Sequence, residues 1–249
     1  MDDNFSFKAL DFDGNAFDLN LNLDGFESGE ALDKTALKND FVIIKRYPRP
    51  KMTYYDQAVK MARDIPALNE GEIFYAICSG NFIFGDMIEA FLVERNLLVK
   101  ELLIATLSLG QENVDSLINL MRGEYIEKLA LIVSDYWYSH ERRKEGGVPY
   151  IKEKLADVYN EKFEFAAAGL HTKVTLIKTA DFNFVMHGSA NLRSSYNVEQ
   201  VCIENNKELY DFNRNWMIKI LENFNLCHKS IRGNKLWQQI APGQEKKQD

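Results

Sequence analysis

The segment GLHTKVTLIKTADFNFVMHGSAN, residues 169–191, carries chemically active side chains at both ends of a hydrophobic stretch. His171 and Lys173 stand at one end, and Ser189 and Asn191 stand at the other. An imidazole can attack phosphorus as a nucleophile. An ammonium and a carboxamide can donate hydrogen bonds to the charge that grows on phosphate oxygens in the transition state. The four side chains therefore suit phosphoryl chemistry, provided that the fold brings them together.

A β-hairpin would bring them together. HTKVTLIK alternates in polarity, TADFN is rich in turn-forming residues, and FVMHGSAN returns. If the turn centres on the Ala-Asp step, the numbers of paired residues add up to about 361, so that His171 faces Ala190 and Lys173 faces Gly188. Gly188 would allow a close approach of backbone or ligand. We expect the polar ends of both strands to meet at the open end of the hairpin.

Three further side chains in or next to this hairpin have predicted roles or orientations. Glu199, in the NVE that follows, opens the next strand, and its carboxylate could bond an imidazole nitrogen and fix the tautomer. Ser189 could orient Asn191 or a phosphate oxygen. His187 should face away from Ser189, because side chains alternate along a strand. The predicted chemistry requires no metal.

HTK, GSAN and NVE resemble the His-x-Lys, Gly-Ser-x-Asn and Glu signature of the phospholipase D superfamily. The resemblance covers roughly the C-terminal three-quarters of the chain. It implies an α/β fold, with a phospholipase D-like mixed sheet flanked by helices on both faces. It also implies metal-independent phosphodiester hydrolysis through a phosphohistidine, without a cofactor. The implied catalytic residues are His171, Lys173, Ser189, Asn191 and Glu199.

One position departs from that signature. The family motif usually continues to an Asp where this chain has Lys178, and the nearest acid is Asp181 in the predicted turn. In the family that Asp supports the site from a distance, so His171 and Lys173 could still act. The alternative is a catalytically degenerate module for binding or assembly.

The resemblance also bears on partners. The family reaction uses two imidazoles, one as nucleophile and one as acid, and the chain supplies a single His-x-Lys. A two-fold homodimer would supply the second imidazole. Single-copy members tend to be nucleases, so the expected substrate is DNA or RNA, and a phospholipid hydrolase is a further alternative.

Four residues outside the motifs are candidate substrate contacts. Tyr138, Arg142 and Arg143 lie in DYWYSHERRK, residues 135–144, whose aromatic and basic side chains could hold a single nucleic acid strand. Core aromatics followed by a solvated turn are the commoner interpretation of such a segment. Ser79 ends an apolar strand, where α/β proteins place ligand loops. KRYPRPK, residues 45–51, is either a phosphate contact or a linker.

Charge and cysteine content limit the class of protein. The net charge of the 249 residues is −7, and residues 1–40 account for all of it with ten acids and three lysines. Cys78, Cys202 and Cys227 are widely spaced, so neither a disulfide framework nor a zinc site is expected. No long apolar run or signal peptide is apparent, and a cytoplasmic location is expected.

The order of the predicted elements indicates one α/β domain. Apolar strands alternate with amphipathic helices, so we predict an acidic arm over 1–40, the domain over 41–240 and a frayed tail over 241–249. A strand is predicted within 41–51 and a helix near 53–64. Further along, Asp86 and Asn113 are predicted helix caps, 127–138 a strand and 148–162 a helix.

Overall fold

The computed structural model describes residues 6–10, 16–20, 51–55, 57–79, 82–144, 146–155, 161–193 and 197–224. The chain divides into two units, Met1–Arg46 and Tyr47–Asp249. In the first unit, strands β1 (Ser6–Leu10) and β2 (Ala16–Asn20) pair in antiparallel fashion. The predicted strand and basic patch before Lys51, together with Cys227 and the tail over 241–249, lie outside the described residues.

The second unit alternates strands with helices, as the apolar periodicity predicts. Its elements are, in chain order, β3 (Lys51–Tyr55), α1 (Ala58–Asp64), β4 (Ile73–Cys78), α2 (Phe84–Glu94), β5 (Glu101–Thr106), α3 (Gln111–Arg122), β6 (Leu129–Ser134), α4 (Asp135–Glu141), α5 (Val148–Lys154), β7 (Phe163–Ala168), β8 (Val174–Lys178), β9 (Asn183–Gly188), β10 (Glu199–Asn205) and α6 (Lys207–Phe224).

Eight strands form one mixed sheet in the order β3-β4-β10-β9-β8-β5-β6-β7. Strands β3 and β4 are parallel, as are β5, β6 and β7, whereas β8, β9 and β10 run antiparallel to their neighbours. The fold is therefore a mixed α/β sheet, as the sequence predicts. The direction of the strands matters for function, because it decides which strand ends share an edge.

Helices cover both faces of the sheet. Leu102 and Ile104 of β5 pack in one core cluster with residues of α1 to α5. Leu103 and Ala105 of the same strand pack in a second cluster with Tyr210 and other residues of α6. Successive strand side chains point to opposite faces, so a strand that is apolar throughout needs a helical layer on each side.

Three predicted helix starts differ from the structure. The helix predicted near 53 begins at Ala58, because β3 occupies 51–55. Asp86 lies in the first turn of α2, whose N-cap is Ile83. Asn113 is the third residue of α3, and its side-chain oxygen accepts from the backbone N of Gly110, the true N-cap, at 2.9 Å. A cap-type side chain can also bond backwards from the first turn, which explains the error at Asn113.

The segment predicted as a strand over 127–138 is a strand followed by a helix. Strand β6 ends at Ser134, whose hydroxyl accepts a hydrogen bond from the backbone N of Trp137 at 3.0 Å. This N-cap starts α4, so the aromatic residues of DYWYSHE belong to a helix. Downstream, α5 ends at Lys154, and the rest of the predicted helix meets residues 156–160, outside the described part.

Candidate active site

One edge of the sheet collects the predicted site residues. Strands β8 and β10 begin at this edge, whereas β4, β9, β5 and β6 end there, because β8 and β10 run antiparallel to the others. His171 and Lys173 precede β8, Ser189 and Asn191 follow β9, and Glu199 is the first residue of β10. The strand directions therefore place all five backbones on the same side of the fold.

The β8–β9 hairpin has the predicted register. Val174 pairs with His187 and Thr175 with Met186, so paired residue numbers add up to 361. The pairing of β9 with β10 sets Gly188 opposite Val201, and one position further the backbone N of Ser189 donates to the carbonyl oxygen of Gln200 at 3.1 Å. The two ends of the motif are thus neighbours.

Lys173 and His171 contact each other directly. The Lys173 Nζ lies 3.1 Å from Nδ1 of His171 and donates to its backbone oxygen at 3.0 Å. His171 is exposed and Lys173 is half-buried. Because an ammonium can only donate, Nδ1 is the acceptor, and a neutral imidazole then carries its proton on Nε2.

Ser189 and Glu199 form the second contact of the site. The Ser189 hydroxyl donates to Oε2 of Glu199 and accepts from the backbone N of Gln200 at 3.0 Å. The hydroxyl was predicted to orient Asn191 or a phosphate, and in this state its donor is occupied by the carboxylate. The bond from Glu199 to an imidazole stays a prediction.

Gly188 permits this close arrangement. A Cβ built on Gly188 would lie 2.1 Å from the carbonyl oxygen of Gln200, far inside van der Waals contact. The close approach predicted for this glycine is therefore made by the backbone of β10. Any side chain here would push β9 away from β10 and separate Ser189 from Glu199.

The negative charge of Glu199 acts on the pKa of two nearby side chains, Lys173 and Cys78. Burial lowers the pKa of Lys173, and the negative charge of Glu199 partly offsets this effect. Burial together with the same carboxylate raises the pKa of the Cys78 thiol to about 12. Cys78 pairs with Glu199 across β4 and β10, and it is a neutral thiol at physiological pH. Cys78 therefore does not supply a thiolate nucleophile.

Asn191 has an unusual buried atom. Its Oδ1 is inaccessible to solvent and has no hydrogen-bond partner among the described residues. A buried unpaired polar atom costs about 1–3 kcal/mol, and such atoms concentrate where a protein does chemistry. Asn191 directly follows the buried Ala190, which anchors this end of β9 in the core.

Of the four candidate substrate contacts, Ser79 lies at this edge, and the other three lie on or just after α4, which begins there. Ser79 directly follows β4, and its carbonyl oxygen accepts from the backbone N of Phe82 at 2.9 Å. Tyr138 is partly buried against the core on α4, so it offers less surface than predicted. Arg142 is the C-cap residue of α4, and both Arg142 and Arg143 are exposed.

Sequence reasoning missed a more exposed aromatic group on α4. The Tyr136 side chain is 62% exposed, and its ring centroid lies 4.3 Å from that of His140. The Nδ1 of His140 also lies 2.7 Å from the Tyr136 carbonyl oxygen. The four-residue spacing of Tyr136 and His140 would have revealed this pair if the segment had been assigned to a helix.

Lys178, which replaces the usual acid of the motif, lies at the other end of β8. It pairs with Asn183 and Glu101, and it is exposed. Five residues along a strand correspond to about 16 Å, which separates Lys178 from Lys173. Asp181 is exposed in the turn beyond it. The departure from the motif is therefore remote from His171.

Comparison with known proteins gives similarity of fold. No family model matches the sequence, and no curated protein matches it. The structure is similar to Nuc from Salmonella typhimurium, a phospholipase D family member, with 12% identity, a TM-score of 0.42 and coverage of 61% of this chain and 95% of that one. For NucT from Helicobacter pylori the identity is 15%, the TM-score 0.42 and the coverage 62% and 99%.

A third structure is larger. Polyphosphate kinase from Porphyromonas gingivalis is 14% identical with a TM-score of 0.48, and the match covers 72% of this chain but 30% of the kinase. All three matches are likenesses of fold at low sequence identity.

Among the described residues, no helix combines the length and apolar character needed to cross a membrane.

Proposed function

We propose that this chain is a metal-independent phosphodiesterase that cleaves DNA or RNA. In this proposal His171 attacks phosphorus, the P–O bond to the leaving group breaks as the N–P bond of a phosphohistidine forms, and the leaving oxygen takes a proton from a second group. Lys173 Nζ and the amide nitrogen of Asn191 stabilise the charge on the remaining phosphate oxygens. Ser189 and Glu199 are hydrogen-bonded to each other and form the side of the site next to β10. Water then hydrolyses the phosphohistidine, which releases the phosphate end and restores the free imidazole.

The observation that carries the proposal is the convergence of the two half-motifs. The paired positions of β8 and β9 bring Lys173 beside Gly188, and the β9–β10 ladder brings Ser189 to Glu199. An exposed imidazole therefore stands beside a half-buried ammonium, and the Asn191 backbone follows β9 at the same edge of the sheet. The imidazole can attack phosphorus, and the ammonium can donate hydrogen bonds to the phosphate oxygens.

Substrate binding must rearrange the contact between Lys173 and His171. Attack through Nε2 requires a lone pair there, but the present hydrogen bond holds the proton of a neutral imidazole on Nε2. A phosphate group would draw the ammonium of Lys173 away from Nδ1, because a charge-assisted bond to a phosphate oxygen is the stronger one. The proton could then move to Nδ1 and free Nε2 for attack.

A homodimer would complete the catalytic set. The leaving oxygen needs a proton from a second group, and within the described chain His187 is directed elsewhere, bonded at 3.0 Å to Glu204. A second copy related by a two-fold axis would present its own His171. Val198, next to Glu199, is 75% exposed and offers apolar surface beside the site for such a contact.

Nucleic acid is the proposed substrate because of the groups around the edge. The exposed Tyr136–His140 ring pair could stack on a base, and Arg143 could contact the backbone. The net charge of the chain outside residues 1–40 is zero, so binding depends on such local groups. Cytoplasmic location stays a prediction from the sequence.

Digestion of single- and double-stranded DNA and RNA in the presence of EDTA tests the proposal. We expect cleavage by the parent protein and none by His171→Ala. A covalent, acid-labile phosphoryl adduct should appear in the parent and be absent from His171→Ala. Full activity of His171→Ala would overturn the mechanism.

A degenerate module for binding or assembly is the second candidate. Two observations favour it, namely Lys178 in the usual position of an acid and the engagement of His171 Nδ1 by Lys173. It predicts oligonucleotide binding that is equal in parent and His171→Ala, with no cleavage of any substrate. A phospholipid hydrolase would instead release headgroups from vesicles and float with them.

A further inference from the structure

Three metal-binding side chains meet on the face of the sheet that α6 covers in part. His187 of β9 lies directly opposite Cys202 of β10, and Glu204 is two residues further along β10. Side chains two apart on a strand share a face, so the thiol and the carboxylate both point toward the imidazole. One nitrogen, one sulfur and one oxygen from these residues all lie within 4.8 Å of one another.

The distances suit one tetrahedral ion. The Nε2 of His187 is 3.0 Å from Oε1 of Glu204, and the Sγ of Cys202 is 3.9 Å from the same oxygen. Zinc bonds of about 2.0–2.3 Å place neighbouring ligand atoms roughly 3.3–3.8 Å apart. The two distances to Oε1 of Glu204 differ from this range by less than about half an ångström, and the nitrogen and the sulfur lie within 4.8 Å of each other.

We propose that His187, Cys202 and Glu204 bind one Zn²⁺ ion, which joins β9 to β10 on the face opposite Lys173. A thiolate and an imidazole select zinc over magnesium or calcium, which prefer oxygen ligands. Three protein ligands leave a fourth position for water. The His187 side chain is 37% exposed, which gives this water access from solvent.

The surroundings support the three ligands. The amide nitrogen of Asn206 donates to Oε2 of Glu204 at 3.3 Å, which leaves Oε1 directed toward His187. Such bonds orient a ligand carboxylate and are typical of metal sites. Cys202 is 8% exposed, so its thiolate would be shielded from bulk water and from oxidants.

Zinc binding would balance charge within the site. The ligand atoms must be free of protons to bind the ion, and the charge of Zn²⁺ would be balanced by the Cys202 thiolate and the Glu204 carboxylate.

The zinc site is independent of the proposed phosphodiesterase chemistry. His187, Cys202 and Glu204 alternate with Gly188, Val201 and Ile203, which belong to the other face. The ion would nevertheless fix the register of the strands that carry Ser189 and Glu199. Chelation should consequently lower the melting temperature while leaving hydrolysis in EDTA intact at temperatures where the chain stays folded.

Metal titration of the full chain tests the site. The protein is stripped with a chelator, freed of it and titrated with Zn²⁺ in competition with a chromogenic chelator. We expect one ion per chain and a higher melting temperature with Zn²⁺ but not with Mg²⁺. Co²⁺ should give the thiolate-to-cobalt charge-transfer absorption that reports a sulfur ligand.

Matched cysteine variants identify the sulfur. Cys202→Ser should abolish the charge-transfer absorption and weaken zinc binding by more than about 100-fold, because even an outer-shell partner contributes 10–100-fold. Cys78→Ser, at the other described thiol, and Cys227→Ser should retain both. His187→Gln should weaken binding like Cys202→Ser and serves in its place if Cys202→Ser fails to fold, as judged by metal-free melting.

Three results would overturn the proposal. The first is parent protein that binds less than one Zn²⁺ per chain. The second is cobalt absorption that persists in Cys202→Ser or disappears in Cys78→Ser. The third is zinc affinity that His187→Gln leaves unchanged. None of these outcomes bears on whether His171 cleaves phosphodiesters.

Discussion

Lys173 donates from Nζ to both Nδ1 and the carbonyl oxygen of His171, at 3.1 and 3.0 Å. Lys178, five residues further on, is the last residue of β8 and lies beside Glu101, whereas Lys173 immediately precedes the first residue of β8. The two lysines therefore form a matched pair, one inside the proposed site and one outside it.

We expect Lys173→Ala to lower hydrolysis strongly and Lys178→Ala to change it by less than about threefold. Removal of one donor to a transition-state oxyanion typically costs about 10²–10³-fold in rate. Lys178 contributes only a charge near Glu101, which affects stability more than rate. Single-turnover cleavage of an oligonucleotide in EDTA measures both variants. Equal losses would show that the acid position of the motif remains part of the chemistry.

Glu199→Gln should shift the alkaline limb of the pH–rate profile to lower pH. Burial lowers the pKa of Lys173, and the charge of Glu199 raises it again in part. Neutralising Glu199 removes the opposing effect, so the ammonium loses its proton at lower pH and activity declines earlier. A profile of kcat/KM between neutral pH and about pH 10.4, the ordinary lysine pKa, shows the shift. An unmoved limb would mean that another group titrates there.

Asn191→Leu should separate activity from stability. The leucine side chain is similar in size and removes the buried, unpaired Oδ1, whose burial costs about 1–3 kcal/mol. The melting temperature should therefore equal or exceed that of the parent, while the rate falls by about 10²–10³-fold. A large loss of melting temperature would show that the Asn191 amide has a structural role instead.

The register of the hairpin could be predicted because two independent signals agree. Alternation of apolar residues in HTKVTLIK and FVMHGSAN fixes the faces, and TADFN fixes the turn, so a slip of one residue would expose the whole apolar set. The 361 register follows from these two constraints. The amphipathic pattern of KELYDFNRNWMIKILENF likewise indicates a helix from the sequence alone, and the structure gives α6 as Lys207–Phe224.

The local geometry of the site could be predicted less well. The strand predicted through Tyr138 ends at Ser134, since aromatic residues suit a strand and a buried helix equally, and the serine cap decides between them. The partner of the Ser189 hydroxyl depends on how β10 pairs with β9, and the intervening loop leaves that register open. Because this register could not be predicted, the sequence spacing of His187, Cys202 and Glu204 offered no sign that the three side chains would meet.

Glu101→Gln should lower the free energy of unfolding at neutral pH and remove part of its acid dependence. Glu101 accepts from Arg214 at 2.7 and 2.8 Å and from the Tyr210 hydroxyl at 2.7 Å, which ties β5 to α6. Burial would raise the pKa of Glu101, but the bonds to Arg214 and Tyr210 outweigh it and hold the pKa below 4.5. We expect a loss of roughly 1–2 kcal/mol, since the Arg214 side chain is 38% exposed.

The pH dependence follows from the lowered pKa of Glu101. The unfolded chain binds the proton more readily, so the contribution of Glu101 is present above about pH 4.5 and is lost as pH falls through the folded-state value. Urea unfolding should therefore show a large difference between parent and Glu101→Gln at neutral pH and a small one near pH 3. Glu94→Gln is the control, because its partner Arg63 is well exposed. If both variants lost stability equally, or if the Glu101→Gln deficit were constant with pH, the link between β5 and α6 would not depend on this carboxylate charge.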